Sequence, residues 1–335
     1  MSYQRIIISR FGGPEVLNVT VEDDLPAPKQ GEVRLKMLAT SACFTDTMIR
    51  NGRYFGNTQK PPFSPGYDVV GVVDALGPGV TNLQVGQRVA ELTVTGAYAE
   101  YLCLPASQCV PVPLTLDPAE AVSMVLTYIT AYQMLHRIAK VQRGARILIH
   151  GASGAVGTAL IQLGRLHDLE MYGTAAQANH DIVASLGATP IDYQHDDFVA
   201  RMDALTPRGA DAVFDAIGGR HFQRSWRCVR RGGILVAYGA YYAAIGKEGG
   251  AMWSYTDLMI RNLWPNGKAA AIYSIASLKQ KHPDWFREDL TELFELLEQS
   301  KIQPVIAHRL KLTDAAEAHR LLESRGVRGK IVLLA

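Results

Sequence analysis

The stretch ILIHGASGAVGTALIQLGR, residues 147–165, decides the fold. It begins as a β-prone run, turns through small residues and continues as an amphipathic helix. Ala152, Gly154 and Gly157 stand at the three positions of a G-x-G-x-x-G pattern, whose small residues let backbone amides at a helix N-terminus approach a pyrophosphate. The stretch therefore predicts a dinucleotide site, and the alternative is a helix N-terminus packed tightly on a strand. The predicted cofactor-binding loop comprises Ala152, Ser153, Gly154, Ala155, Val156 and Gly157.

The residues after this loop repeat a strand and helix alternation. Short runs rich in Ile, Val and Leu, separated by helical patterns, are RILIH, LEMYG, TPIDY, DAVFDA and GGILVAYG. This order predicts an α/β fold with a Rossmann doubly wound parallel sheet. A further apolar run, AAAIYSI, predicts an edge strand near residues 268–274.

The first third of the chain is different. It consists of short β-prone runs cut by Gly, Pro and Asp, such as GEVRLKMLA and PGYDVVGVVDALGPGV. This pattern predicts a small β-barrel-like domain. The closing run GKIVLLA is predicted to return to that domain.

Composition excludes several classes of protein. The net charge is +2 with acids and bases interspersed, which indicates neither a nucleic-acid nor a membrane-surface partner. No apolar run approaches the length of a membrane span, and Arg5 and Arg10 interrupt the first apolar run, unlike a signal peptide. Four cysteines without a C-x-x-C pair indicate a reduced, cytoplasmic location.

The end of the second strand indicates which dinucleotide binds. An NAD site places Asp or Glu about 20 residues beyond the loop, to accept from the ribose 2′-hydroxyl. The corresponding region reads EMYGTAAQANHD, with no acid at the strand tip. Because no charge there would repel a 2′-phosphate, we predict NADPH. The polar candidates for the 2′-phosphate, each equally compatible with a solvated loop, are Thr174, Asn179, His180 and Tyr193.

Several longer segments carry a family resemblance over essentially the whole chain. They are SACFTDTMIRNGRY, PGYDVVGVVDALGPGVTNLQVGQRV, GAYAEY, LTYITAY, HGASGAVG, GATPIDY and ESRGVRGKIVLL. In these segments the chain resembles the medium-chain dehydrogenase/reductase superfamily, and within it the zinc-independent quinone oxidoreductase-like branch that includes VAT-1-type proteins. The resemblance implies a GroES-like substrate domain over 1–124, a Rossmann domain over 125–270 and a C-terminal segment, 271–335, that returns to the first domain.

The resemblance also allows a test for a metal. Zinc enzymes of the superfamily hold a catalytic metal with a Cys, a His and a third Cys or acid. Cys43 matches the first position, but Tyr67 and Leu126 stand at the others. A catalytic zinc needs three protein ligands, and one thiol with the nearby Asp46 and Asp68 is a poor substitute. We therefore expect no metal.

A metal-free site favours conjugated substrates. Without a Lewis acid, nothing neutralises the oxyanion of a simple alcohol or ketone. Hydride added to a quinone or to the β-carbon of an enone instead leaves a delocalised anion that a few hydrogen-bond donors stabilise. We therefore predict NADPH-dependent reduction of a quinone or an α,β-unsaturated carbonyl.

The resemblance assigns roles to further residues. Cys43 and Phe44 lie on the substrate side. Tyr54 is the candidate donor to the substrate oxygen, and a cleft-wall aromatic is the alternative. The residues implied near the nicotinamide, its carboxamide or the 2′-phosphate are Thr130, Ile217, Gly239, Ala240 and Arg325.

Some alternatives stay open. Residues 240–266 carry apolar bulk that is either core and dimer contact or substrate wall: Tyr241, Tyr242, Met252, Trp253 and Trp264. A second function is NADPH binding with little turnover, as in crystallins or vesicle proteins, and a third is a zinc alcohol dehydrogenase with atypical ligands. A homodimer is predicted through the AAAIYSI edge strand.

Overall fold

The computed structural model describes residues 1–54, 59–239, 241–245, 251–263, 265–324 and 326–335. The chain divides into two compact units, with residues 1–129 and 282–335 in unit 1 and residues 130–281 in unit 2. The predicted boundaries, after residues 124 and 270, fall shortly before these points. No helix in the described ranges is both long and apolar enough to cross a membrane.

Unit 1 is built mainly of strands. They are β1 Tyr3–Ile8, β2 Leu17–Glu22, β3 Glu32–Ala42, β4 Val69–Leu76, β5 Arg88–Glu91, β6 Tyr101–Pro105, β7 Val110–Pro111, β14 Ile306–Lys311 and β15 Lys330–Leu334. Its helices are α1 Phe44–Arg50, α2 Pro118–Ser123, α11 Pro283–Glu298 and α12 Ala315–Glu323.

The main sheet of unit 1 is open. Its seven strands run in the order β14-β15-β3-β4-β5-β7, and β6 also pairs with β3. The predicted β-barrel-like domain is thus an open sheet and not a closed barrel: among the described residues, the end strands β14 and β7 do not pair with each other. Barrel closure requires a fixed stagger between distant strands, which short local β patterns do not encode.

The chain's end returns to this sheet as predicted. Strand β15 pairs antiparallel with β3, with Ile331 opposite Ala42. The side chains of Ile331, Val332 and Leu333 are fully buried. The continuous apolar run IVLL thus reflects burial on both faces of the strand.

Unit 2 alternates strands and helices. Its strands are β8 Arg146–His150, β9 Glu170–Ala175, β10 Thr189–Asp192, β11 Ala210–Asp215, β12 Val229–Ala237 and β13 Ala269–Ile272. The helices are α3 Ile129–Gln133 where the unit starts, α4 Ala155–Arg165, α5 His180–Leu186, α6 Phe198–Leu205, α7 Arg220–Cys228, α8 Tyr241–Ala244, α9 Ala251–Asn262 and α10 Ile275–Lys281.

The sheet of unit 2 confirms the Rossmann prediction. Its strands are parallel and run in the order β10-β9-β8-β11-β12-β13. The predicted edge strand is β13. The strand order reverses between β8 and β11, and ligands of such sheets bind outside the carboxyl ends of the strands at this switch point.

Candidate functional site

The loop between β8 and α4 has the geometry of a phosphate-binding turn. Gly151 has a φ of 68°, in the left-handed region that favours glycine. Gly154 caps α4, and an added Cβ on Gly157 would lie 2.4 Å from the Gly151 carbonyl oxygen and 2.6 Å from the Ala152 Cα. Only glycine at position 157 lets the first turn of α4 approach the loop backbone this closely.

The structure explains why alanine is tolerated at position 152. Ala152 is buried, and its backbone N–H donates to the Thr174 carbonyl at 3.0 Å. Its methyl group packs over Gly173 in β9, where an added Cβ would lie only 2.5 Å from the Ala152 Cβ. The methyl missing from strand β9 thus makes room for the methyl present in the loop. Sequence reasoning missed this role of Gly173, although a glycine inside a β-prone run is a signal of close approach.

The end of β9 brings two of the predicted phosphate ligands together. The Asn179 Nδ2 donates to the Ser153 Oγ at 3.3 Å. The Thr174 hydroxyl instead lies 3.0 Å from His150 Nδ1 and accepts the Gly151 N–H at 3.3 Å. Tyr193, which follows β10, is exposed. Ser153 and Asn179 thus form an adjacent polar pair near the start of α4, whereas the Thr174 hydroxyl is hydrogen-bonded to His150 and to the Gly151 N–H.

Beyond the switch point, the loop that follows β11 is hydrogen-bonded to the side chain of Asp215, the last residue of that strand. The Ile217 and Gly218 backbone N–H groups donate to Asp215 Oδ1 at 2.7 and 3.4 Å. An added Cβ on Gly239, which follows β12, would lie 2.8 Å from the Ala216 carbonyl oxygen. Thr130 lies in α3 and is buried.

Ala240, Arg325, Trp264 and the side chain of Met252 lie outside the described residues.

Part of the segment 240–266 contributes to the core of unit 2. In α9, Leu258 is buried, and Tyr255 and Met259 pack against the same core cluster. Trp253, in contrast, is 74% exposed. The Tyr242 ring lies 6.3 Å from the His221 ring.

A cluster of buried polar side chains at the strand ends was not predicted from the sequence. Ser225 Oγ donates to Asp215 Oδ2 at 2.6 Å and lies 3.0 Å from His150 Nε2. His221 Nδ1 lies 2.7 Å from the same Asp215 oxygen. His150 and Asp215 are the last residues of two neighbouring parallel strands, a placement that predicts their proximity.

The cluster holds one anion and a neutral imidazole. Burial raises the pKa of Asp215, but the neighbouring His221 and His150 and the Ser225 hydroxyl outweigh it and hold that pKa well below its usual range. Burial, with His221 nearby, lowers the pKa of His150 to about 3. At neutral pH Asp215 is therefore ionised and His150 is uncharged.

In unit 1 the predicted substrate-side residues begin helix α1. Cys43 caps the helix, and its backbone N–H and its thiol both donate to Asp46 Oδ2, at 3.0 and 3.1 Å. Phe44 is the first residue of α1. Burial raises the pKa of Asp46 to about 7, although the Cys43 hydrogen bonds act against it. Burial, and then Asp46, raise the pKa of the Cys43 thiol, so this cysteine is a neutral thiol and not a reactive thiolate.

A buried lysine lies beside this helix start. Lys330 Nζ donates to Thr127 Oγ1 at 2.8 Å and pairs with Asp68 Oδ2 at 3.4 Å. The Asp68 carboxylate also accepts the Ser41 backbone N–H and hydroxyl. The carboxylates of Asp68 and Asp46 are thus both committed to protein donors. The segment ESRGVRGKIVLL, which carries part of the resemblance, contains Lys330, but its pairing with Thr127 and Asp68 was not predicted from the sequence.

Two tyrosines form a hydrogen-bonded pair in unit 1, and one of them, Tyr67, is the residue that the resemblance places at the histidine position of the zinc enzymes. The hydroxyl oxygens of Tyr54 and Tyr67 lie 2.8 Å apart, and their rings meet edge to face. Tyr67 is buried. Burial raises the pKa of each phenol above its ordinary value. Both hydroxyls therefore keep their protons at neutral pH and can donate hydrogen bonds.

Comparison with known proteins covers both units. A family model described as alcohol dehydrogenase GroES-like domain matches residues 29–114, and one described as zinc-binding dehydrogenase matches residues 186–333. The chain is 30% identical to a quinone oxidoreductase of Sus scrofa over 336 residues, 98% of this chain and 97% of the relative. It is 28% identical to a synaptic vesicle membrane protein VAT-1 homolog of Danio rerio, over 99% of this chain and 70% of that protein.

The fold is likewise similar to solved structures. A crystal structure of the Escherichia coli quinone oxidoreductase complexed with NADPH superimposes with a TM-score of 0.88 at 26% identity, covering 99% of this chain and 100% of that one. The similarity extends through both units.

Proposed function

We propose a reaction for this chain, which belongs to the medium-chain dehydrogenase/reductase superfamily. It is an oxidoreductase that uses NADPH to reduce a quinone or an α,β-unsaturated carbonyl, and the reaction needs no metal. The observation that carries the proposal is the phosphate-binding turn beside a β9 end that lacks an acid. The NADPH complex of the similar Escherichia coli enzyme supports the same cofactor.

The residues of unit 2 fit this cofactor. The first turn of α4 offers free backbone N–H groups and a favourable dipole to the pyrophosphate, and Gly157 keeps the approach open. Ser153 and Asn179 are the proposed side-chain ligands of the 2′-phosphate, and the exposed Tyr193 is a further candidate. The Thr174 hydroxyl supports the loop by accepting a hydrogen bond from the Gly151 N–H. When bound, NADPH supplies a hydride.

The residues proposed to hold the nicotinamide lie after β11 and β12 and in α3. The Asp215 carboxylate already orients the Ile217 N–H. Gly239 has no room for a side chain above Ala216. Together with Thr130 they offer backbone and hydroxyl groups suited to a carboxamide.

In unit 1, Tyr54 is the proposed donor to the substrate oxygen and Tyr67 positions it. Hydride addition to a quinone or an enone leaves negative charge on that oxygen, and a protonated phenol stabilises it through a charge-assisted hydrogen bond. Because burial raises the pKa of Tyr54, the phenol holds its proton until the anion forms. Cys43 and Phe44 are proposed as the wall of the substrate side, where a neutral thiol adds no charge.

The test combines binding and turnover. Dissociation constants of NADPH and NADH are measured by titration, and loss of NADPH absorbance is followed with a panel of quinones and enones. We expect tighter binding of NADPH than of NADH and turnover of conjugated acceptors only. Tighter binding of NADH contradicts the cofactor assignment. Binding without turnover favours the non-enzymatic alternative, and stoichiometric zinc with alcohol-dependent NADP reduction favours the alcohol dehydrogenase.

A further inference from the structure

The buried cluster at the strand ends is a continuous chain of directed hydrogen bonds. It is called here the strand-end chain and consists of Thr174, His150, Ser225 and Asp215. The Ser225 hydroxyl has one proton, and the ionised Asp215 can only accept, so Ser225 donates to Asp215. His150 Nε2 must then carry the proton that it shares with Ser225 Oγ.

The direction of the remaining bonds follows from this tautomer. Since His150 is neutral, its Nδ1 has no proton and accepts from the Thr174 hydroxyl. The Thr174 oxygen in turn accepts the Gly151 N–H. At the other end, Asp215 Oδ1 accepts the Ile217 and Gly218 N–H groups. Each hydrogen bond in the strand-end chain therefore has a defined donor and a defined acceptor.

Histidine and aspartate are also metal ligands, but these atoms are committed. His150 Nε2 has no lone pair to offer to a metal in this arrangement, because it carries the proton that it donates to Ser225 Oγ, whose own hydroxyl proton is directed at Asp215. Asp215 accepts four hydrogen bonds, from Ser225, His221, Ile217 and Gly218. The cluster satisfies itself without an ion.

The position of the strand-end chain indicates its role. It crosses from β9 and β8 to β11, over the point at which the strand order reverses. One end holds the first glycine of the phosphate loop and the other holds the loop of Ile217 and Gly218. Dinucleotides lie across this crevice with one half on each side.

We propose that Ser225, through Asp215, is a positioning residue that sets the Ile217 loop for the nicotinamide half of the cofactor. The inference rests on the proposed use of NADPH. Ser225 lies on α7 and is fully buried. Its effect on the cofactor therefore passes through Asp215, which loses one of its four donors when the hydroxyl is removed.

The experiment compares whole and half cofactor. Dissociation constants of NADPH and of 2′,5′-ADP, which carries only the phosphorylated adenosine half, are measured for the wild type and Ser225→Ala. We expect NADPH to bind about tenfold more weakly in the variant, the usual effect of one buried hydrogen bond. Binding of 2′,5′-ADP is expected to stay within about twofold, because the phosphate loop keeps its Ala152 to Thr174 backbone bond.

Three further variants separate positioning from folding. Ser225→Thr keeps the hydroxyl and is expected to restore NADPH binding. His221→Phe keeps an aromatic ring beside Phe198 but removes a donor to Asp215, and is expected to weaken NADPH binding in the same direction. Ser185→Ala deletes a hydroxyl bonded only to its own helix in α5 and is expected to change neither ligand.

Other outcomes overturn the inference. Equal weakening of both ligands in Ser225→Ala indicates a general structural role, and unchanged NADPH binding in both Ser225→Ala and His221→Phe shows that the Ile217 loop is held without the chain. If the wild type itself does not bind NADPH, the proposed function fails together with the inference. If the wild type binds NADPH and only the variants deviate from these expectations, the inference alone fails.

Discussion

Tyr54 and Tyr67 place two protonated phenols in hydrogen-bond contact in unit 1. If Tyr54 donates to the substrate oxygen, Tyr54→Phe lowers kcat/KM about tenfold for every accepted substrate, the effect of one hydrogen bond to a developing charge. Tyr67→Phe removes only the orienting partner and is expected to cost roughly threefold. Steady-state kinetics measure both, with Tyr101→Phe in β6 as the control. Unchanged turnover in Tyr54→Phe removes the donor role.

Asp46 makes the stability of the protein depend on pH. Its native pKa of about 7 lies above the ordinary value of 3.8, because burial disfavours the charge. The native state therefore keeps this proton up to about pH 7, whereas the unfolded chain releases it near pH 4. The resulting stabilisation is complete below about pH 4 and is lost as the pH rises through 7.

Asp46→Asn tests this prediction. The variant has no proton to lose, so its free energy of unfolding improves relative to the wild type as the pH rises from about 4 to 8, by at most about 4 kcal/mol. Denaturant unfolding across this range measures the difference. Asp24→Asn, at an exposed position, is the control and is expected to run parallel to the wild type. Parallel curves for Asp46→Asn contradict the raised pKa.

At the scale of elements, the turn from β8 into α4 depends on a glycine that cannot be replaced. A Cβ on Gly157 meets backbone atoms of Gly151 and Ala152, which cannot rotate away. Gly157→Ala is expected to destabilise the protein by about 1–3 kcal/mol, the usual cost of overpacking. At Gly154 the nearest atom is 3.3 Å away, a contact that a shift of a few tenths of an ångström relieves, so Gly154→Ala is the comparison variant and is expected to cost less, about 1 kcal/mol or below. Denaturant unfolding of the two variants decides, and equal stabilities contradict the packing argument.

The elements that sequence predicted are those that local patterns encode. The alternation after residue 146 predicted the parallel sheet and its edge strand, since each run has its own period and turn signals. The open sheet of unit 1 was not predicted, because β3 pairs on one side with β6 and then with β15, at Lys36 and Ala39 respectively. Such branching depends on residues far apart in the chain.

The candidate site follows the same division. The glycine positions and the missing acid are local features and were predicted, whereas the strand-end chain joins residues 150, 215 and 225 and was not. The Tyr54 and Tyr67 pair was predicted only as separate residues. Sequence names the groups, and only the fold shows which of them meet.

At the scale of the whole molecule, the chain is similar both to a reductase and to a vesicle protein over nearly all of its residues. It covers 97% of the quinone oxidoreductase of Sus scrofa and 70% of the VAT-1 homolog of Danio rerio. Turnover, and not only cofactor binding, is proposed because Tyr54 and Tyr67 offer protonated phenols to a reacting oxygen.

The edge of the sheet in unit 2 is the surface at which we predict a homodimer. Strand β13 pairs with β12, and along the described chain no other strand covers its outer edge. Ile272 at its end is 43% exposed. The Ala270 N–H of this edge donates to Asn262 Oδ1 at 2.7 Å. The remaining edge backbone, beside apolar side chains, favours pairing with a second copy across a two-fold axis, which joins two sheets into one. In such a two-fold dimer the same residues of both copies form the interface, so one substitution changes the interface at two places.

Ile272→Lys places a charge at this edge in each copy, and the two charges oppose pairing. The wild type is expected to sediment as a dimer, and Ile272→Lys to dissociate at a concentration at least about tenfold higher, because two ammonium groups must be desolvated together. Val85→Lys, at an exposed apolar position in unit 1, is the control and is expected to stay dimeric. Sedimentation equilibrium over a dilution series measures all three. A dimer that survives Ile272→Lys unchanged uses another surface, and a monomeric wild type removes the dimer altogether.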